Sequence, residues 1–196
     1  MSPWSIPEII GVVSGLLCVW LTVRQNIWCW PIGIASCVAF AILFWQIKLY
    51  IDMGLQFFFI VVSLQAWYLW LHGGPNHSRL PVTQLTSAQK VWLGFAVVVC
   101  VLALGTAVDR YTDASLPFLD AMASGASVPA QILLMRKKLE SWYMWFVIDV
   151  LYVGIYIYKE VYLTAGLYVL FLGLAVAGLI EWKKTLSAPS PASVTA

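Results

Sequence analysis

One carboxylate stands apart from the other charges of the sequence. Asp149 lies in the segment ESWYMWFVIDVLYVGIYIY, with apolar and aromatic residues on both sides. A charge at that depth in a bilayer costs several kcal/mol unless it is paired or hydrated. On a helix, spacings of three, four and seven residues place Trp142, Trp145 and Asp149 on one face, and Tyr152 and Tyr156 continue the stripe. Two indoles beside a carboxylate suit a flat, positively charged heteroaromatic ring. The rings stack and attract the cation, while the carboxylate balances its charge or accepts its hydrogen bonds. A structural reading competes. Asp149 can tie helices together by hydrogen bonds, and tryptophans near a membrane face form an interfacial belt. Trp142 fits that belt as well as it fits a site; Trp145, deeper in the segment, fits it less well.

Other polar side chains inside apolar segments are Gln56, Gln65, Asp120, Ser124, Ser127 and Gln131. Gln56 and Gln131 are candidates for the same pocket, since an amide at membrane depth either meets a ligand or joins helices. Gly11 with Gly15, and Ala126 with Ala130, give small-residue faces suited to close helix packing. Pro31 and Pro129 loosen local helix geometry, unless Pro31 sits in a first turn. The sequence has no GxxxxGK[ST] phosphate loop, so ATP is not expected as a direct energy source. The two histidines, His72 and His77, fall at or in a polar connection, and Asp149 has no second buried acid or histidine relay in sequence reach. Catalysis is not expected, nor is a cofactor. Cys18, Cys29, Cys37 and Cys100 lie in apolar stretches without metal-ligand spacing and read as small buried hydrophobes.

The elements that must position these residues follow from composition. Of 196 residues, 62% are hydrophobic and 10% charged, against about 45–50% apolar and about 25% charged in ordinary soluble domains. So much apolar surface cannot be hidden in a soluble fold of this size. A net charge of +2 is too mild to imply a nucleic-acid partner. The expectation is an all-α integral membrane protein whose solvent is the lipid bilayer. Seven apolar runs are long enough for spans: Pro7–Val23, Ile27–Ile47, Tyr50–Leu71, Val91–Val108, Leu116–Met135, Trp142–Tyr158 and Val161–Glu181. No basic region precedes the first, so it reads as a retained span. Residues 73–90 form the one long polar connection, and the tail from Leu186 reads as disordered. Lys48, Arg110 and Lys159 would lie on one side of the membrane, and the other eight basic residues on the opposite side. The positive-inside rule then puts the amino terminus outside and the carboxyl terminus in the cytoplasm.

An internal repeat organises the spans. Adding 112 to a residue number maps Arg24 onto Arg136, Trp30 onto Trp142, Tyr50 onto Tyr162, Gly54 onto Gly166, Leu55 onto Leu167, Phe59 onto Phe171 and Trp70 onto Trp182, with Glu8 falling on Asp120. That acidic pair suggests a shared structural or gating role. The offset covers four spans, an even number, so both copies point the same way. The expected arrangement is a 3+1+3 parallel repeat: residues 1–72 as the first three-helix repeat, 73–112 as polar loop and linker helix, 113–185 as the second repeat, and 186–196 as tail. Duplicated half-bundles suit a carrier that rocks about a site between them.

These residues resemble a known family. WYMWFVID, preceded by LLMRKKLESW, together with KLYIDMGLQFFF, LQAWYLW and LPFLDA, resembles the nicotinamide riboside transporter (PnuC) family of bacterial vitamin transporters. The resemblance runs from about Glu8 to Lys184. It implies a SWEET-like seven-helix fold, a homotrimer in the bacterial inner membrane, and facilitated diffusion of a vitamin later trapped by cytoplasmic phosphorylation. It also implies that Trp142 and Trp145 clamp the ring and Asp149 reads its polar edge, with Gln56, Gln131 and Tyr152 nearby. In the family, Asn at the last motif position goes with nicotinamide riboside, and Asp, as here, with the thiamine-carrying PnuT branch. Thiamine is therefore the expected substrate, with nicotinamide riboside as the alternative. Riboflavin, or a non-transporting scaffold, is more distant. Physics alone separates the first two weakly, because both are cations and a carboxylate suits either.

Overall fold

Lipid offers a backbone no hydrogen-bond partner, so an apolar run that crosses it satisfies its own amides as a helix. In the computed structural model, which describes residues 6–46, 50–111, 117–158, 160 and 162–187, seven α-helices follow one another. They are α1 (Ile6–Val23), α2 (Cys29–Gln46), α3 (Tyr50–His72), α4 (Ser87–Tyr111), α5 (Pro117–Met135), α6 (Glu140–Tyr158) and α7 (Tyr162–Ser187). Among the described residues, four stretches are long and apolar enough to cross a membrane: Cys29–Gln46, Met53–His72, Glu140–Tyr158 and Thr164–Ser187. In α1, α4 and α5 the described apolar stretches are shorter. Large apolar side chains such as Trp92, Phe95 and Val91 stand exposed along α4, as lipid-solvated residues do.

Several boundaries differ from the sequence reading, each for a local reason. The helix α4 begins at Ser87, not Val91, because Thr86 and Gln89 form a capping box. The Thr86 amide donates to Gln89 Oε1 at 3.0 Å, and the Gln89 amide donates to Thr86 Oγ1 at 3.3 Å. Pro31 falls in the first turn of α2, where a missing N–H costs nothing. The helix α7 runs to Ser187, so Leu186 and Ser187, expected in the tail, are helical. Residues 188–196 lie outside the described residues, as do Ile47, Lys48, Leu116, Lys159 and Val161 and the side chains of Glu8, Tyr50 and Asp120.

The chain divides into two units, Met1–Pro81 and Val82–Ala196. In the first, α2 packs against both α1 and α3. The contact is close because Gly11 lacks a side chain; a Cβ there would lie 2.9 Å from the Phe40 ring. Ser36 Oγ donates to the Gly11 carbonyl at 2.8 Å across the same contact. In the second unit α4, α5, α6 and α7 pack in chain order. The polar connection is fastened there: the Thr83 amide donates to the Lys137 carbonyl at 3.0 Å and the Leu139 amide to the Thr83 carbonyl at 2.9 Å. The Leu85 amide donates to Glu140 Oε2 at 3.0 Å, and Lys90 Nζ lies 3.2 Å from Glu140 Oε1. Backbone groups at the α5–α6 turn thus find partners outside their helices.

The 112-residue offset reappears as geometry inside each unit. After α1, the Gln25 amide donates to Thr22 and the Asn26 amide to Leu21; after α5, the Lys137 amide donates to Leu134 and the Lys138 amide to Leu133. Each turn has its pivot in the left-handed region, Gln25 at φ 54° and Lys137 at φ 48°. That pattern is a Schellman-type C-cap, built twice without glycine. The tryptophan pairs also match: Trp30 meets Trp70 edge-on at 5.0 Å and 89°, and Trp142 meets Trp182 at 5.4 Å and 89°.

Candidate functional site

The stripe expected on the sixth span lies on α6. Asp149 sits near its middle and is 5% exposed. Trp142, at the amino-terminal end, is 2% exposed and wedged between Trp182 and Gly178. A Cβ at Gly178 would fall 2.5 Å from its indole ring, so only glycine admits it. This burial removes the interfacial-belt reading of Trp142. The indole N–H groups of Trp142 and Trp145 are buried and have no hydrogen-bond partner among the described residues. Leaving such a donor unpaired costs about 1–3 kcal/mol, and each therefore asks for an acceptor.

The internal repeat separates scaffold from site within this motif. Trp142 has Trp30 as its counterpart, with the same perpendicular partner and the same unpaired N–H. Its packing is therefore part of the duplicated frame. Trp145 and Asp149 have no such precedent, because 112 residues earlier stand Gly33 and Cys37. An indole and a carboxylate have been added on one helical face of the second unit alone.

Tyr152 continues that face. Its hydroxyl lies 3.2 Å from Ser124 Oγ on α5, and its ring stacks on Tyr156 at 5.9 Å and meets Tyr168 of α7 at 4.7 Å. Tyr156 and Tyr168 stack at 5.4 Å. Gln131 is half-buried on the face of α5 that carries Ser124 and Ser127. Gln56 is half-buried on α3 and so belongs to the other unit. The structure thus brings Trp145, Asp149 and Tyr152 onto one stripe beside α5 and α7. It keeps Trp142 as that stripe's packed end.

Tyr168 escaped the sequence reading. The repeat could have found it, because Gln56, already singled out, maps onto Tyr168 at the same offset.

A family model described as nicotinamide mononucleotide transporter matches residues 5–184. The chain belongs to this family. It is a multi-pass membrane transporter of the PnuC type, and four of its helices are long and apolar enough to cross a membrane. A similar relative is the nicotinamide riboside transporter PnuC of Escherichia coli, 27% identical over 200 residues, covering 89% of this chain and 84% of that protein. Another is the riboflavin/roseoflavin transporter RibM of Streptomyces davaonensis, 24% identical over 182 residues, covering 91% of this chain and 84% of that one. The fold is similar to the crystal structure of the vitamin B3 transporter PnuC, with a TM-score of 0.75 at 23% identity, covering 94% of this chain and 83% of that chain.

Proposed function

We propose that this chain carries a cationic N-heteroaromatic vitamin, nicotinamide riboside, by facilitated diffusion, with Asp149 and Trp145 at the binding site. The observation that carries the reading is Asp149 itself: a carboxylate 5% exposed at the middle of an apolar helix, beside an indole whose N–H lacks a partner among the described residues. A positively charged ring relieves both burdens at once, offsetting the charge and stacking on the indole. The names of the relatives favour the riboside over the thiamine expected from the motif. Riboflavin is neutral and gains less from a carboxylate. Thiamine remains the second reading on one observation, the Asp at position 149 where the resemblance associates Asp with that vitamin.

Trp142 would brace the stripe from its packed end, and Tyr152 and Gln131 would supply polar contacts to the ligand. The two three-helix halves, residues 1–72 and 113–185, would be parallel repeats joined in sequence by the linker helix, in a SWEET-like 3+1+3 order. The basic residues would hold the carboxyl terminus in the cytoplasm of a bacterial inner membrane, where phosphorylation traps the vitamin. Assembly as a homotrimer completes the reading.

Counterflow in liposomes tests it. Purified protein should exchange labelled nicotinamide riboside down its gradient without ATP or an ion gradient; no counterflow of riboside or thiamine would refute carriage. Asp149→Asn separates the two vitamins. It should weaken thiamine binding much more than riboside binding if thiamine is the substrate, and weaken the riboside if that cation is the one neutralised.

A further inference from the structure

The two halves of the chain form an internal control for what packing alone requires. In the first unit Phe40 and Phe44 stack at 6.0 Å with their planes 21° apart; 112 residues later Tyr152 and Tyr156 stack at 5.9 Å and 24°. The geometry is the same and the hydroxyls are the difference. Val12 likewise corresponds to Ser124, Gln56 to Tyr168, and Cys37 to Asp149. Bare phenyl rings satisfy this contact in the first unit, so the hydroxyls of Tyr152 and Tyr156 are not there to fill space, and at the position of Tyr168 the first unit also carries a polar side chain, Gln56. A hydroxyl within a span adds a desolvation cost that phenyl avoids, and it persists where it has polar work.

From this we infer that the hydroxyls of Tyr156 and Tyr168, continuous with Tyr152 and Ser124, are specificity-determining groups that read the hydroxylated arm of the ligand whose charged ring Asp149 holds. The inference rests on the vitamin-carrier reading and deepens it. The ring cluster joins α6 to α7 at 4.7 and 5.4 Å, and Ser124 ties it to α5 at 3.2 Å. All three tyrosines are half-buried, whereas Asp149 is buried, so the phenols form the more open end of the polar track. A donor-and-acceptor hydroxyl suits a ribose or hydroxyalkyl group; a carboxylate, acceptor only, suits the cation.

The test compares two cations that share a ring and differ in the hydroxylated arm, nicotinamide riboside and N1-methylnicotinamide. Both are titrated against the full-length protein in detergent, the second by competition. Tyr156→Phe and Tyr168→Phe are used singly and together; each removes only a hydroxyl, and Phe44 already stacks at the counterpart of position 156. Two neutral hydrogen bonds amount to about fivefold to about a hundredfold in affinity. The double variant should lose that much for the riboside and less than about twofold for the methyl cation, with an unchanged melting temperature. Tyr158→Phe, on the exposed side of α6, should change neither. Equal losses for both ligands would make the phenols structural glue and overturn the inference while leaving the carrier reading intact; so would no loss at all. Wild-type protein that binds neither cation would overturn both.

Discussion

Gly178→Ala should damage this protein far more than the same change elsewhere on its helix. The added methyl would start 2.5 Å from the Trp142 ring, and Trp142 is 2% exposed with Trp182 across it, so the indole has nowhere to retreat. Overpacking of this kind costs about 1–3 kcal/mol. At about 2–4 °C per kcal/mol for a chain of this size, the melting temperature should fall by about 2–12 °C. Gly173 lies on the same α7, and a Cβ there would meet nothing within 4 Å. Gly173→Ala should therefore keep only the helix-propensity gain, about 0.5–1 kcal/mol, and raise the melting temperature slightly. Thermal unfolding in one detergent, read by tryptophan fluorescence, compares the pair directly. Equal melting shifts for the two alanine variants would refute the claim that Trp142 is held by a glycine-only slot.

Three further outcomes follow from the same contacts. Glu140→Ala should lower stability by about 1–3 kcal/mol, because the Leu85 amide loses its acceptor, whereas Lys90→Ala should cost no more than about 1 kcal/mol, since that lysine is 54% exposed; urea melts of the two variants check the ranking. Thr86→Ala should remove half of the capping box and cost about 0.5–2 kcal/mol, with fraying of the first turn of α4 visible in amide exchange. Gly33→Ala, in the first unit, should force the Cys18 side chain to shift, because the new Cβ would start 2.9 Å from its Sγ. It should lower the melting point without changing ligand affinity, which a binding titration on the folded fraction would show.

The helices were legible because hydropathy is read over whole windows: seven apolar runs became seven helices, and the polar connection fell where the composition changed. Their ends were not, since single side chains set them. Thr86 and Gln89 started α4 a turn early, and nothing in the tail's composition marked Ser187 as helical. The repeat was visible as matched tryptophans, and its geometry, down to left-handed pivots at Gln25 and Lys137, could be seen only in coordinates. Neither residue is the glycine that such a pivot usually announces. The charged end of the candidate site could be read from Asp149, because a lone acid in an apolar run is conspicuous. Tyr168 was less conspicuous, because a tyrosine in an aromatic-rich helix gives no such contrast, and only its place opposite Gln56 in the repeat pointed to it before its neighbours across α6 were known.

The central claim is that the buried carboxylate at position 149 selects for positive charge on an aromatic ring. Titration of the detergent-purified protein with nicotinamide riboside and with its reduced, uncharged dihydro form isolates that charge, because the two differ little in shape. The account predicts saturable binding of the cation, followed by tryptophan quenching that Trp145→Phe abolishes, and weaker binding of the neutral form by tenfold or more, a preference that Asp149→Asn erases. Equal affinity for the two forms in the wild-type protein would contradict it.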